Sequence, residues 1–205
     1  ENDLEPTTQA EIDIIGLSGC DTIDKLFVKD VPVSDLSKLS NVKEMFQLSI
    51  ENNQGLLSLE GLHNVTRIYD AEIQNNNSLT DLRGLRNLAT ITSELQIKGN
   101  DKLKDLEGLE NLKAIDFIGV LNNSNLTSVS GLSGIKSVRM LYLEGIALTD
   151  LSPLQYLKNI GSELWLKNLG ITELSGLSGI TGLGGNLTVS NNSLLLNLDG
   201  LSNIG

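Results

Sequence analysis

Apolar side chains recur along this chain with a period that belongs to neither a long strand nor a long helix. Aligned on one apolar position, the sequence gives Val28, Ile50, Ile73, Ile97, Val120, Leu143, Leu166 and Val189, spaced 22 to 24 residues apart. Inward and outward residues alternate around each, as in Leu95-Gln96-Ile97 and Leu164-Trp165-Leu166. Period two marks a short strand with one buried face. After each strand position an apolar residue returns every third place, for example Leu79, Leu82, Leu85, Leu88 and Ile91, then Leu103, Leu106, Leu109, Leu112 and Ile115. Side chains at i and i+3 eclipse in a 3₁₀ turn, so this ladder predicts a tight return path. The predicted fold is an α/β-type, right-handed solenoid of about eight coils, each with one short parallel strand and a 3₁₀ or irregular return. At the usual spacing of parallel strands it forms a rod about 35–40 Å long.

A parallel β-helix has coils of similar length but needs two or three strands in each. Leucine every third residue, with Gly or Pro between, opposes a second regular strand here. Two polar columns complete the repeat. Asn53, Asn76, Asn100, Asn123 and Asn192 stand three residues after the strand position, with Val31, Ile146 and Leu169 in the other coils. An inward Asn can bond backbone groups where the chain leaves the strand, and stacked copies can bond one another, so this ladder is assigned a structural role. Gly61, Gly84, Gly108, Gly131, Gly176 and Gly200 form the second column, with Lys38 and Pro153 in the remaining coils. Small residues there are expected to let the return path bend.

The segment Leu95-Gln-Ile-Lys-Gly-Asn-Asp-Lys-Leu-Lys-Asp-Leu-Glu-Gly-Leu-Glu-Asn-Leu resembles the leucine-rich repeats of receptor L domains. Leu148-Thr-Asp-Leu-Ser-Pro-Leu-Gln-Tyr-Leu-Lys-Asn-Ile resembles instead the bacterial internalin type of repeat. The likeness runs from about Ile23 onward. It implies a non-enzymatic recognition module, displayed on a bacterial surface or secreted, with a protein or glycan as ligand. Animal receptor L domains have disulfide-stapled ends, which this chain lacks, and that turns the resemblance toward a bacterial relative.

Composition sharpens this picture. The chain is 40% hydrophobic but only 3% aromatic, so an aliphatic core is repeated many times over. A formal charge of -11, from 26 acidic and 15 basic residues, opposes capture of nucleic acid or anionic membrane. No apolar run approaches the roughly 20 residues of a bilayer span. No transmembrane segment is predicted, and a lipid or domain anchor is placed outside this chain. One cysteine excludes an intramolecular disulfide, and no cofactor or metal is called for. Residues 1–11 read as a polar, flexible tether, and 12–205 as a single solenoid expected to continue past 205. Ile14, Leu17, Cys20 and Ile23 extend the three-residue ladder backward and are expected to form a partial capping coil, with Cys20 as an inert core thiol.

Residues beside each strand position point outward, and in a solenoid that face is the usual binding surface. The leading column reads Phe27, Ser49, Glu72, Gln96, Gly119, Tyr142, Trp165 and Thr188; the following one reads Lys29, Glu51, Gln74, Lys98, Leu121, Glu144, Lys167 and Ser190. Tyr142 and Trp165 therefore fall on adjacent coils beside Glu144 and Lys167, with Leu121 one coil away. This group is the candidate binding site, either as an anchor for a protein or as a stacking platform for a sugar. The competing reading packs the same rings against another domain, making the chain a structural spacer. A glycan-cleaving solenoid would need clustered carboxylates on one face, and no repeated acidic constellation is expected there. Asp101, Asp105, Glu107 and Glu110 read as solvated, His63 as a solvated return residue, and Gly182-Leu-Gly-Gly as the approach to the last strand rather than a phosphate loop. The Asn-X-Ser/Thr triplets at Asn64, Asn76, Asn122, Asn125, Asn186 and Asn191 read as by-products of the repeat.

Overall fold

The computed structural model describes residues 3–204. Its strands form one sheet in which every pairing is parallel. β1 (Asp3–Leu4) pairs with β2 (Thr22–Lys29), followed by β3 (Glu44–Glu51) and β4 (Arg67–Gln74). β5 (Thr90–Ile91) and β6 (Glu94–Lys98) are two pieces of one coil's strand, both paired with β4. β7 (Phe117–Leu121), β8 (Ser137–Glu144) and β9 (Asn159–Lys167) continue the stack, and β10 (Gly182–Leu183) and β11 (Asn186–Ser190) both pair with β9. The architecture is a leucine-rich repeat solenoid with one strand per coil. The register aligns Val28, Ile50, Ile73, Ile97, Val120, Leu143, Leu166 and Val189 as one column.

The aliphatic ladder fills the interior: Leu56, Leu59, Leu62, Val65 and Ile68 are all fully buried, as are their counterparts from Leu79 to Ile91. Short 3₁₀ turns occupy six returns, at 37–41, 83–85, 130–132, 152–154, 175–177 and 199–201. The two coils that turn without one contain Gly61 and Gly108, at φ of 110° and 109°. That backbone is closed to L side chains and open to glycine. The glycine column has a second cause, close approach of coils. A Cβ added at Gly84 would overlap the carbonyl oxygen of Leu59 in the preceding coil, and one at Gly131 would overlap that of Leu106.

The N-terminal end departs from expectation. The tether placed at 1–11 is in part structured, since β1 extends the sheet, Pro6 is buried and α1 (Gln9–Leu17) begins within it; Glu1 and Asn2 lie outside the described residues. The Thr8 hydroxyl accepts the Glu11 N–H at 3.3 Å, while the Thr7 N–H and hydroxyl donate to the Glu11 carboxylate. This satisfies donors that a helix start leaves free. Ile12 and Gly16 are the buried residues of α1, and Gly16 lies against the backbone of Lys38 in the first return. Gln9 clamps the same return, donating to the Asp35 carbonyl at 2.7 Å and accepting the Ser34 and Asp35 N–H groups at 3.2 Å. The expected partial coil is thus a capping helix that leaves Ile14, Leu17 and Cys20 exposed. A three-residue apolar spacing suits one face of an α-helix as well as a 3₁₀ ladder, and the polar cap decides between them.

Candidate functional site

Strand alternation delivers side chains to the outer face. In β4 the buried residues Ile68, Ala71 and Ile73 leave Asp70, Glu72 and Gln74 outward, and the same holds in each coil. Cross-strand register then aligns the columns: Gly119 opposes Tyr142, Tyr142 opposes Trp165, and Leu121, Glu144 and Lys167 follow one another beside them.

Tyr142 and Trp165 stack with ring centroids 4.5 Å apart and an interplanar angle of 15°. On the other side of Tyr142, Phe117 meets it edge-on at 5.0 Å and 79°. Gly119 makes room for this. A Cβ there would stand 3.1 Å from the tip of the Phe117 ring, so the ring covers the space that a larger residue would take. The Tyr142 hydroxyl is hydrogen-bonded to Glu163 and lies 3.7 Å from the Met140 sulfur. Its donation to the Glu163 carboxylate, aided by burial, pushes the phenol pKa up. Lys167 and Glu144 pair at 2.7 Å along the rim, and Leu121 is half-buried on the next coil. The structure thus brings together all five sequence-selected residues and adds Phe117, Met140 and Glu163. Those three belong to an outward column two positions before the leading one. The periodic pattern gave no signal for them, because it does not show that the Phe117 ring lies over Gly119.

On the other half of the face, which also carries Lys29 and Lys98, four carboxylates gather without forming a repeated acidic column. Asp70, Glu72 and Glu94 lie on β4 and β6, with Glu51 adjacent on β3. Burial raises the Asp70 pKa, and the nearby Glu94 charge adds to it. Burial likewise raises Glu72, reinforced by the shared hydrogen bond and charge of Glu51. Burial alone would raise Glu51 too, but the Ser49 hydroxyl and Lys29 hold it below its ordinary value. None of Asp70, Glu72 or Glu94 is ion-paired among the described residues. Beside them Phe46 and Tyr69 stack at 4.5 Å and 7°, with 48% and 42% of their surfaces exposed.

The Asn column runs inside the turn at the strand ends. Asn53, Asn76, Asn100 and Asn123 are fully buried. The Asn76 Oδ1 accepts the Asn53 N–H at 3.0 Å, and its Nδ2 donates to the carbonyls of Ile50 at 2.8 Å and Gln74 at 3.0 Å. Asn100 and Asn123 repeat the pattern one coil on. Ile146 interrupts it; Asn192, half-buried, takes the Leu169 N–H at 2.8 Å. One residue earlier lies a column that the sequence reading missed: Asp30, Asn52, Asn75, Gly99, Asn122, Gly145, Asn168 and Asn191 all have φ between 52° and 65°. Its signal was the exclusive use of Asn, Asp and Gly, the residues that tolerate the left-handed region.

Cys20 is exposed, not a core thiol, because it follows the helix rather than lying on the ladder. His63 is half-buried, 3.6 Å from Glu60. Asp105 accepts the Glu107 N–H at 3.0 Å, so it closes a turn rather than standing free in water. Among the described residues no cluster of His, Cys, Asp or Glu could hold a metal ion, and no helix is long and apolar enough to cross a membrane.

No family model matches the sequence, and no curated protein matches it. Among solved structures, internalin C2 from Listeria monocytogenes is similar with a TM-score of 0.61 and 22% identity, covering 93% of this chain and 82% of that one. Internalin F from the same organism gives 0.36 and 18%, covering 96% and 74%. The complex of TLR13 with ssRNA13 gives 0.37 and 15%, covering 90% of this chain and 37% of the other. The first of these establishes the fold, an internalin-like leucine-rich repeat; the other two carry no weight beyond it.

Proposed function

We propose that this chain is a non-enzymatic recognition module that binds a protein partner through its strand face, on a bacterial cell surface or after secretion. The observation that carries the reading is the cluster of Phe117, Tyr142 and Trp165, half-exposed on an open sheet face. Aromatic side chains held in place before binding lose little freedom when they are covered, which is what makes them anchors. The ring arrangement favours a protein over a glycan. A sugar ring stacks on an exposed aromatic face, yet the faces of Tyr142 are flanked by Trp165 on one side and Phe117 on the other. The exposed parts of the three rings, together with Leu121 and Met140, form an apolar ridge suited to packing against side chains.

The non-enzymatic reading rests on chemistry. The raised pKa of Tyr142 runs opposite to what a phenolate nucleophile needs. The formal charge of -11 opposes nucleic acid, whose phosphates would be repelled. Surface or secreted location is supported by the internalin-type repeat and by the solved internalin of the same fold.

The test is a binding screen against glycans and against host-surface and matrix proteins, with the chain compared to a Tyr142→Ala, Trp165→Ala variant. The control is Leu57→Ala, Tyr156→Ala, which removes exposed apolar groups from the return side. A protein ligand weakened about 30-fold by the first pair, and unchanged by the second, supports the reading, given unaltered circular dichroism. A glycan ligand would overturn the choice of partner. No ligand, or equal binding by both variants, would move the assignment to a spacer whose rings contact another domain.

A further inference from the structure

Tyr142 stands at the centre of the aromatic cluster, and its ring has two ways to lie on the sheet. A side chain on a strand leans along the strand direction, so it reaches residues two positions before its own or two positions after. Leaning forward, Tyr142 would meet Glu144 on its own strand and Lys167 on β9, which already pair with each other at 2.7 Å. It leans backward instead. Its hydroxyl lies 3.7 Å from the sulfur of Met140, two residues earlier on β8, and donates to Glu163, two residues before its register partner Trp165. The backward lean also sets the ring edge-on to Phe117, because Phe117 and Met140 oppose each other in the sheet. Glu163 is itself held from the far side. Its Oε2 accepts the Tyr142 hydroxyl, while Oε1 accepts the Nδ2 of Asn186, which opposes it on β11, at 3.3 Å. Glu163 has no ion pair among the described residues, since Arg139, whose charge reaches Tyr142, pairs with Asp116 at 2.7 Å.

We propose that Glu163 is the positioning residue of the aromatic cluster: its carboxylate fixes the lean of Tyr142 and so keeps Phe117, Tyr142 and Trp165 assembled before a partner arrives. The proposal rests on the strand-face recognition reading and names the side chain that acts on that site through Tyr142. Ring stacking tolerates sliding and does not choose a lean. A hydroxyl bonded to a carboxylate does choose, because the bond is short, directional and strengthened by the charge. The same bond makes the phenol reluctant to ionise, since losing its proton would set two negative charges together.

Trp165 is the only tryptophan of the chain, so its fluorescence reports on this stack alone. The test is acrylamide quenching of Trp165 in the intact chain, with Tyr142→Ala setting the value for a lost ring. Glu163→Ala is expected to move the quenching constant more than half of the way from the unaltered chain to Tyr142→Ala. Glu163→Gln keeps an acceptor oxygen for the hydroxyl and should restore the unaltered value. It should still lower the pH at which the Tyr142 phenol ionises, followed as phenolate absorbance, because the acceptor has lost its charge. A general loosening of the sheet would not separate these two readouts. Glu144→Ala removes the neighbouring carboxylate that pairs with Lys167 and should leave both unchanged. Unaltered quenching in Glu163→Ala would overturn the proposal, because the rings would then hold Tyr142 unaided. Quenching raised equally by Glu144→Ala would overturn it too, reducing the effect to loss of a charge. Should Glu163→Ala not fold, Glu163→Gln still decides: a phenol that ionises at the unaltered pH would sink the bond. None of these readouts uses a partner, so a failure of the recognition reading, seen as no ligand in the binding screen, leaves the brace on Tyr142 standing. A protein ligand weakened by Tyr142→Ala, Trp165→Ala and untouched by Glu163→Ala would overturn the positioning role and keep the reading.

Discussion

At the scale of single residues, the most consequential side chains are the buried asparagines. Each sits where a strand ends and its backbone groups lose their sheet partners, and each replaces those partners with its own amide. Asn76 serves two coils at once, taking the Asn53 N–H and donating to Ile50 and Gln74. Removing a buried partner costs the desolvation of every group it leaves unbonded, about 1–3 kcal/mol each. Asn76→Ala is expected to lower unfolding free energy by about 3 kcal/mol in urea denaturation. Asn192→Ala, on the half-buried last member, should cost well under half of that, and equal costs would show that the ladder is not what matters. The inward Asn column was legible because its spacing is regular. Phe117 was not, since nothing in its position shows that its ring lies over Gly119 beside Tyr142.

At the scale of elements, the coil is held by what it leaves out as much as by what it packs. The return must pass against the carbonyl of the previous coil, and only glycine allows that approach in most units. Gly84→Ala is expected to cost at least ~2 kcal/mol in the same measurement, because the clash is with backbone and not with a side chain able to swing away. An unchanged midpoint would mean that the coils separate more easily than their packing suggests. Pro153 and Lys38 fill the column elsewhere, and at Lys38 the neighbour is α1, which contributes its own glycine, Gly16. The Thr8-x-x-Glu11 capping signal for this helix stood in the sequence. The apolar spacing alone does not separate helix from ladder there, since i, i+3 spacing serves both structures.

At the scale of the whole molecule, the strand face carries an aromatic cluster and a carboxylate cluster, and the second weakens the fold at neutral pH. Asp70 has a folded pKa above its ordinary value, so the folded state binds this proton more tightly than the unfolded chain does. Its penalty is present above the raised pKa and is relieved as pH falls through it. Asp70→Asn is therefore expected to raise the thermal midpoint at pH 7 and to leave it unchanged at about pH 3, where the carboxyl is protonated in both states. The gain is small, about 1 °C, because the group is partly solvated. It should shrink further in high salt. A midpoint lowered at pH 7 would place Asp70 in a stabilising interaction instead.

The sequence by itself determined the repeat, the strand positions, the inward and outward residues of the repeating strands and the two structural columns, because periods of two and three are local geometry written many times over. It also placed Tyr142 beside Trp165, since a constant coil length converts a 23-residue separation into adjacency. Tertiary structure alone decided how rings share space: Phe117 over Gly119, Tyr142 between two aromatic neighbours, Tyr69 stacked on Phe46. It also decided that Asp70, Glu72 and Glu94 stand together with no ion pair among the described residues, and that the N-terminal ladder closes as a helix with Cys20 outside. Those outcomes depend on rotamers, on burial and on which neighbour fills a gap, and a periodic pattern carries none of that information.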